Sequence, residues 1–210
     1  ILALAVAEPK TIAYSYTLAI RDAGLTAIEL DLEPLAIARA VIKDGPRGGC
    51  ALIADLGATK STLIVTTQNS ILATADGHSA GNNLTEQLAK KLSLSPIDAQ
   101  DMKHKFGLAG DNPEYLKIVK EYADSLATRV KETINFTHTR SPDYPAISEI
   151  ILSGGGALLK KLPEALSTAL KIPARIADPW VNPKIGIKLG PNSTTACGLA
   201  LTALEHDHVN

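Results

Sequence analysis

The chain has two cysteines, and they stand alone. Cys50 and Cys197 lie in apolar surroundings, with no second Cys and no His at metal-ligand spacing. This pattern points to two buried thiols in a reducing compartment and away from a disulfide. Neither sign of charge is in excess. The formal net charge is −1, and the largest basic clusters are pairs such as Lys90-Lys91 and Lys160-Lys161, so the footprint of a nucleic-acid binder is missing. No apolar run approaches the roughly 20 residues that cross a bilayer. The opening Ile1-Leu-Ala-Leu-Ala-Val-Ala7 is strand-sized and lacks a basic flank, so it does not read as a signal peptide. There is no internal repeat and no low-complexity tract. His78, His104, His138, His206 and His208 show no pairing, and no Ser/His/Asp or Cys/His set suggests a triad. The chain starts without Met, in mid-strand, and contains only Met102. It reads as a piece whose N-terminal part is missing.

What the chain does have is length for a real core, at 210 residues, and regular alternation of strand and helix signals. Ile1–Ala7 reads as a buried strand. Thr11–Ala23 carries Ile12, Tyr16, Ala19 and Ile20 on one helical face, and Gly24 stops it. Thr26–Leu32 alternates and predicts a strand. Glu33-Pro34 opens a helix running to about Lys43, with Pro34 at its first turn. Asp44–Gly49 is a loop and a subdomain boundary. Ala51–Ala54, Thr62–Thr67 and Ser70–Ala75 then read as short strands, with Gln68-Asn69 at a hairpin turn. Helices follow over Asn82–Leu92, from Ser95 to Gly107, and over Pro113–Asn135. The last carries Tyr115, Val119, Tyr122, Leu126, Val130 and Ile134 as a packing stripe. Glu149–Leu152 is a strand. Ala157–Leu170 is a helix in which Pro163 sits early or forces a restart. Ala174–Ala177 is a strand and Thr194–Glu205 a closing helix. The fold class is α/β.

Two glycine-bearing turns, each directly after an apolar strand, carry the chemistry. The first is Asp55-Leu-Gly57-Ala58-Thr59-Lys60, and the second is Ser153-Gly154-Gly155-Gly156-Ala157. Glycine after a strand lets the backbone approach a ligand closely, and successive N–H groups in such a turn can cradle phosphate oxygens. An aspartate ending the strand can hold a metal ion through water. The second turn is not a dinucleotide fingerprint, because Leu159 stands where the third glycine would be. No Gly-Lys-Ser or Gly-Lys-Thr is present, so it is not a Walker A loop. What remains is a glycine shelf beside a helix N-terminus, suited to a base or an α-phosphate. Glu33 is a favourable helix-opening carboxylate in its own right.

The order Glu33-Pro34-Leu-Ala, Asp55-Leu-Gly-Ala-Thr, Ala99-Gln100-Asp-Met-Lys103, Ser153-Gly-Gly-Gly resembles the actin-like ATPase superfamily. Gly81-Asn-Asn-Leu-Thr and Leu162-Pro-Glu-Ala-Leu, with Ile172-Pro-Ala and Ala177-Asp-Pro-Trp180, extend the likeness over nearly the whole chain. Within the superfamily the chain is similar to the PilM type of pilus assembly protein, relatives of the cell-division protein FtsA. The resemblance implies a ribonuclease-H-like fold whose second half is nearly complete and whose first half is truncated. Residues 1–49 would be the remnant of the first half, and 50–210 the second half with a mainly helical insertion at about 82–145. It implies ATP and Mg²⁺ as cofactors. Asp55 would orient the hydrated Mg²⁺. Gly57, Ala58, Thr59 and Lys60 would wrap the β- and γ-phosphates. Gly154, Gly155, Gly156 and Ala157 would flank adenosine and α-phosphate. Gln100, where the family has a glutamate, and Lys103 would face the ribose. Glu33 falls where the bacterial actin MreB orients the attacking water. The first phosphate loop would lie upstream, which implies a fragment deficient in hydrolysis. The implied function is assembly of an inner-membrane type IV pilus or secretion platform. The implied partner is the cytoplasmic N-terminal peptide of a PilN-like membrane protein, with self-association as a further expectation. The implied location is cytoplasmic, peripheral at the inner membrane through that partner. Two other readings stay open: a sugar or acyl kinase of the same superfamily, and a scaffold that binds no nucleotide.

Overall fold

Residues 51–56 are apolar at nearly every position, which is what a strand buried on both faces requires. They form β1 (Ala51–Leu56), the centre of a five-stranded sheet. The computed structural model describes residues 7–42, 49–68, 70–77, 80–179 and 189–206. The expected opening strand over Ile1–Ala7, apart from Ala7 itself, and the loop from Asp44 fall outside these residues. So do Asn69, His78, Trp180 and His208.

β1 forms a hairpin with β2 (Ser61–Thr66), and β2 pairs antiparallel with β3 (Ile71–Gly77). On the other side β1 runs parallel to β4 (Glu149–Ser153), which runs parallel to β5 (Ala174–Ile176). The order is β3-β2-β1-β4-β5, with β2 alone reversed relative to its neighbours.

Helices cover both faces. Leu52, Ala54 and Leu56 point to one side with Leu63, Val65, Ile150 and Leu152. They pack there against α3 (Gly81–Leu92), α5 (Pro113–Arg140) and α6 (Leu162–Leu170) through Leu84, Leu88, Val119, Leu126, Val130 and Leu166. Ala51, Ile53, Ile64 and Ile151 point to the other side, against Ile37, Ala40 and Val41 of α2 (Glu33–Val41) and Cys197 of α7 (Thr194–His206). Tyr115, Val119, Leu126 and Val130 of the expected α5 stripe are buried, and Tyr122 and Ile134 pack partly buried against the same core. Both cysteines are free and buried, and burial raises both thiol pKa values.

Local signals explain most boundaries. Ser95 caps α4 (Pro96–Phe106) by accepting from the Asp98 N–H at 3.1 Å. Gly24, at φ +80°, ends α1 (Lys10–Asp22) in a paired cap: its N–H donates to Arg21, and that of Leu25 donates to Ile20. Pro163 restarts the chain as expected. A 3-10 turn covers Gly155–Leu158, and α6 begins afresh at Leu162. One expectation is overturned. Thr26–Leu32 forms no strand, because no described strand pairs with it and alternation alone cannot satisfy a strand's backbone groups.

The chain divides into two compact units, Ile1–Glu33 and Pro34–Asn210. The first contains α1. The second contains the sheet and its covering helices. No helix among the described residues is long and apolar enough to cross a membrane.

Candidate functional site

The site is set by the parallel pairing of β1 and β4. Asp55 stands opposite Ser153, so both glycine turns leave the carboxyl ends of adjacent parallel strands. That end of an open α/β sheet is where ligands characteristically bind. The first turn is tight: the Gly57 N–H donates to the Lys60 carbonyl at 3.0 Å. A Cβ at Gly57 would lie 2.8 Å from that same oxygen, so the turn excludes a side chain there. The turn is also tied to α3. The N–H groups of Gly81 and Asn82 donate to the carbonyls of Gly57 and Ala58 at 2.9 and 2.8 Å.

The second turn is built against the end of β1. Gly154 has φ +77°, and a Cβ on it would lie 2.6 Å from the Leu56 carbonyl oxygen. A Cβ on Gly156 would meet Leu56 Cβ at 2.7 Å. Packing therefore accounts for both glycines. Gly155 differs: among the described residues, nothing lies within 4 Å of where its Cβ would be. Its bare backbone faces open space.

That space is a cleft of about 430 Å³. Gly57, Ala58, Gly155 and Gly156 form one wall, α3 and α4 another, and Leu158, Leu159 and Tyr122 its apolar part. Gln100, Lys103 and His104 of α4 line it as well. Lys103 donates to the Gly81 carbonyl at 3.0 Å and to Thr85 Oγ1 at 2.7 Å. Burial pushes the Lys103 ammonium below its ordinary pKa.

The structure thus brings Gly57, Ala58, Gln100, Lys103, Gly155 and Gly156 to one cleft. It places the other expected residues differently. Ala157 is fully buried and donates its N–H to Gly154, so it packs beneath the turn and does not face the cleft. The Gly57 amide is spent inside the turn. Among the described residues, the amides of Ala58 and Thr59 make no backbone hydrogen bond and are the turn's available donors. Thr59 is exposed, and the Lys60 ammonium lies 3.9 Å from Asp76 with both side chains largely in solvent. Asp55 does not line this cleft. It is half-buried on the sheet face shared by Ile53, in register with Thr62, which in turn bonds to Asp76 at 2.9 Å. Glu33 is the first residue of α2 and the last of the first compact unit. Gly81, Asn82, Thr85, Tyr122, His104 and Leu158 were not expected at the site. The only sequence signal for Gly81 was the resemblance of the segment Gly81-Asn-Asn-Leu-Thr to a family helix.

Among the described residues no three Cys, His, Asp or Glu side chains cluster as a metal cage. Mg²⁺ is commonly held by one or two carboxylates plus waters and substrate phosphates. Asp55, one carboxylate near the end of β1 beside the first glycine turn, fits that pattern.

A five-stranded sheet with one reversed strand, helices on both faces and two glycine turns at one end defines an actin-like ATPase fold. Solved structures agree. The chain matches a PilM-PilN type IV pilus biogenesis complex with TM-score 0.75 and 22% identity, covering 92% of this chain and 58% of that one. It matches an MreB of Spiroplasma citri bound to ADP with TM-score 0.70 and 13% identity, covering 97% and 68%. The family model for type IV pilus assembly protein PilM matches residues 3–204, and the chain belongs to that family. Among curated relatives, the cell division protein FtsA of Enterococcus hirae is 25% identical over 170 residues, covering 80% of this chain. The chain spans 36% of that relative's length and 49% of the FtsA of Bacillus subtilis.

Proposed function

We propose that this chain is the nucleotide-binding second half of a PilM-type actin-like protein, acting in assembly of a type IV pilus or secretion platform. The observation that carries the reading is the pairing of the two glycine turns at one sheet end, with Gly155 bare towards the cleft and a lysine on the opposite wall. The ligand is ATP. Its base and ribose lie along Gly155 and Gly156, with Leu158 and Tyr122 supplying apolar contact and Gln100 polar contact. Its phosphates extend towards Ala58 and Thr59, whose amides donate to them. Mg²⁺, when bound, neutralises phosphate charge, and Asp55 holds its water shell. Glu33 orients the attacking water in the full-length protein.

Phosphoryl transfer requires positioning from both sides of the phosphates. This chain supplies one side, so on its own it binds ATP weakly and does not turn it over. The partner proposed for the full-length protein is the cytoplasmic N-terminal peptide of a PilN-like membrane protein. It would hold the protein at the inner membrane, and self-association would be a further property of the assembly. The support is family membership and the similarity to a PilM-PilN complex.

Calorimetry on the full-length protein tests the reading. Asp55→Ala is expected to weaken Mg·ATP binding by about tenfold to a hundredfold, the scale of a lost charge-assisted contact. If the wild-type full-length protein binds no ATP, the protein is a nucleotide-free scaffold.

A further inference from the structure

Lys103 is held in a way that its place on the cleft wall does not by itself explain. Among the described residues its ammonium has two partners, the Gly81 carbonyl at 3.0 Å and Thr85 Oγ1 at 2.7 Å, and both are neutral. An ammonium has three N–H donors, so one remains. Among the described residues neither partner compensates the positive charge, although the group is half-buried and its pKa is lowered by that burial.

Thr85 is what makes this arrangement directional. It is buried, and its own proton goes to the Gly81 carbonyl at 3.1 Å. Its oxygen lone pairs are therefore left to accept from Lys103. Gly81 carries the arrangement on to the phosphate turn, because its N–H donates to Gly57 at 2.9 Å. A methyl group at Gly81 would touch Lys103 Nζ at 3.7 Å and Ala58 Cα at 3.8 Å. The ammonium therefore lies one residue's width from the first turn.

We infer that Thr85 is a positioning residue: with the Gly81 carbonyl it fixes the Lys103 ammonium so that its third N–H and its charge meet a phosphate oxygen of the bound nucleotide. The inference rests on the nucleotide reading of the cleft. It differs from the ribose contact that the resemblance implies for Lys103. A phosphate offers the negative charge that the uncompensated cation lacks, and a ribose hydroxyl does not. The same contacts link α4, α3 and the phosphate turn, so the cation and the turn are held in one frame.

Two measurements on the full-length protein test this, using Thr85→Val, Thr85→Ser and Lys103→Met. The first needs no ligand. Acylation of Lys103 by an amine-reactive ester, read by mass spectrometry, is expected to be slow in wild type, several-fold faster in Thr85→Val and slow again in Thr85→Ser. The second compares ADP with adenosine. Thr85→Val and Lys103→Met are each expected to weaken ADP binding by about fivefold to twentyfold, as for a charged hydrogen bond, with adenosine affinity unchanged. Thr85→Ser should restore ADP affinity. Equal acylation in wild type and Thr85→Val would overturn the positioning role. Equal losses for ADP and adenosine would overturn the phosphate assignment, as would a stability loss in Thr85→Val with both affinities intact. Failure of the wild type to bind ADP, with the acylation difference present, would overturn the nucleotide reading and the ligand assigned to Lys103. The Thr85–Lys103 contact would survive that result.

Discussion

At the scale of single residues, the three consecutive glycines of the second turn serve different ends. Gly154 is needed for its positive φ and for its approach to Leu56, and Gly156 for the same approach. Among the described residues, nothing lies within 4 Å of where a Cβ on Gly155 would be. Gly154→Ala is therefore expected to destabilise the fold by about 1–2 kcal/mol or more, from left-handed strain and the Leu56 clash. Gly155→Ala should change stability by no more than about 0.5 kcal/mol, since it enters open space. It should nevertheless weaken nucleotide binding in the full-length protein, because its methyl group occupies the shelf. Thermal unfolding and ATP titration of the two variants check this. Equal stability losses, or unimpaired binding in Gly155→Ala, would remove Gly155 from the site.

At the scale of elements, α5 supplies a prediction in pH. Tyr115, 1% exposed, sits in its first turn, and desolvation pushes its phenol up to about 12 from an ordinary 10. Above pH 10 the unfolded chain loses this proton while the folded chain keeps it. Stability from this group is thus complete below pH 10 and lost as pH rises through about 12. Tyr115→Phe should flatten that alkaline decline in denaturant unfolding measured at pH 9 and pH 11. An unchanged slope would show that other groups govern it. Tyr115 also illustrates what the sequence makes legible. The α5 stripe, the Ser95 cap, the Gly24 stop and the Pro163 restart all rest on local chemistry, and each is visible in a few neighbouring residues. Thr26–Leu32 has strand alternation, but a strand depends on a partner that alternation does not supply. Four lining residues, Gly57, Ala58, Gly155 and Gly156, were readable from two turns, and Gln100 and Lys103 from the resemblance of one helix motif alone. Thr85 and Tyr122 were not, because a threonine or tyrosine on an amphipathic helix carries no mark of what the fold will set beside it. The spending of the Gly57 amide within its own turn was equally invisible.

At the scale of the whole molecule, the question is what the rest of a longer protein adds, since this chain spans 34–49% of the FtsA relatives it matches. If Glu33 orients the attacking water, Glu33→Ala in the full-length protein is expected to leave ATP affinity nearly intact and to lower turnover. If Glu33 serves only its helix start, the variant instead loses about 0.3–1 kcal/mol of stability with no kinetic change. Steady-state turnover beside thermal unfolding separates the two. The pairing of β1 with β4 has a consequence in time as well as in space. The two strands join across most of a domain, as the bond between Cys50 and Ser148, 98 residues apart, shows. Closing a loop of that length costs about 4 kcal/mol of chain entropy before any contact repays it. Strands joined so remotely also pair slowly. The first turn, made with its β-hairpin, must wait for the second until the helices between have been translated. Within this chain, therefore, the two turns cannot face one ligand until the sheet has closed.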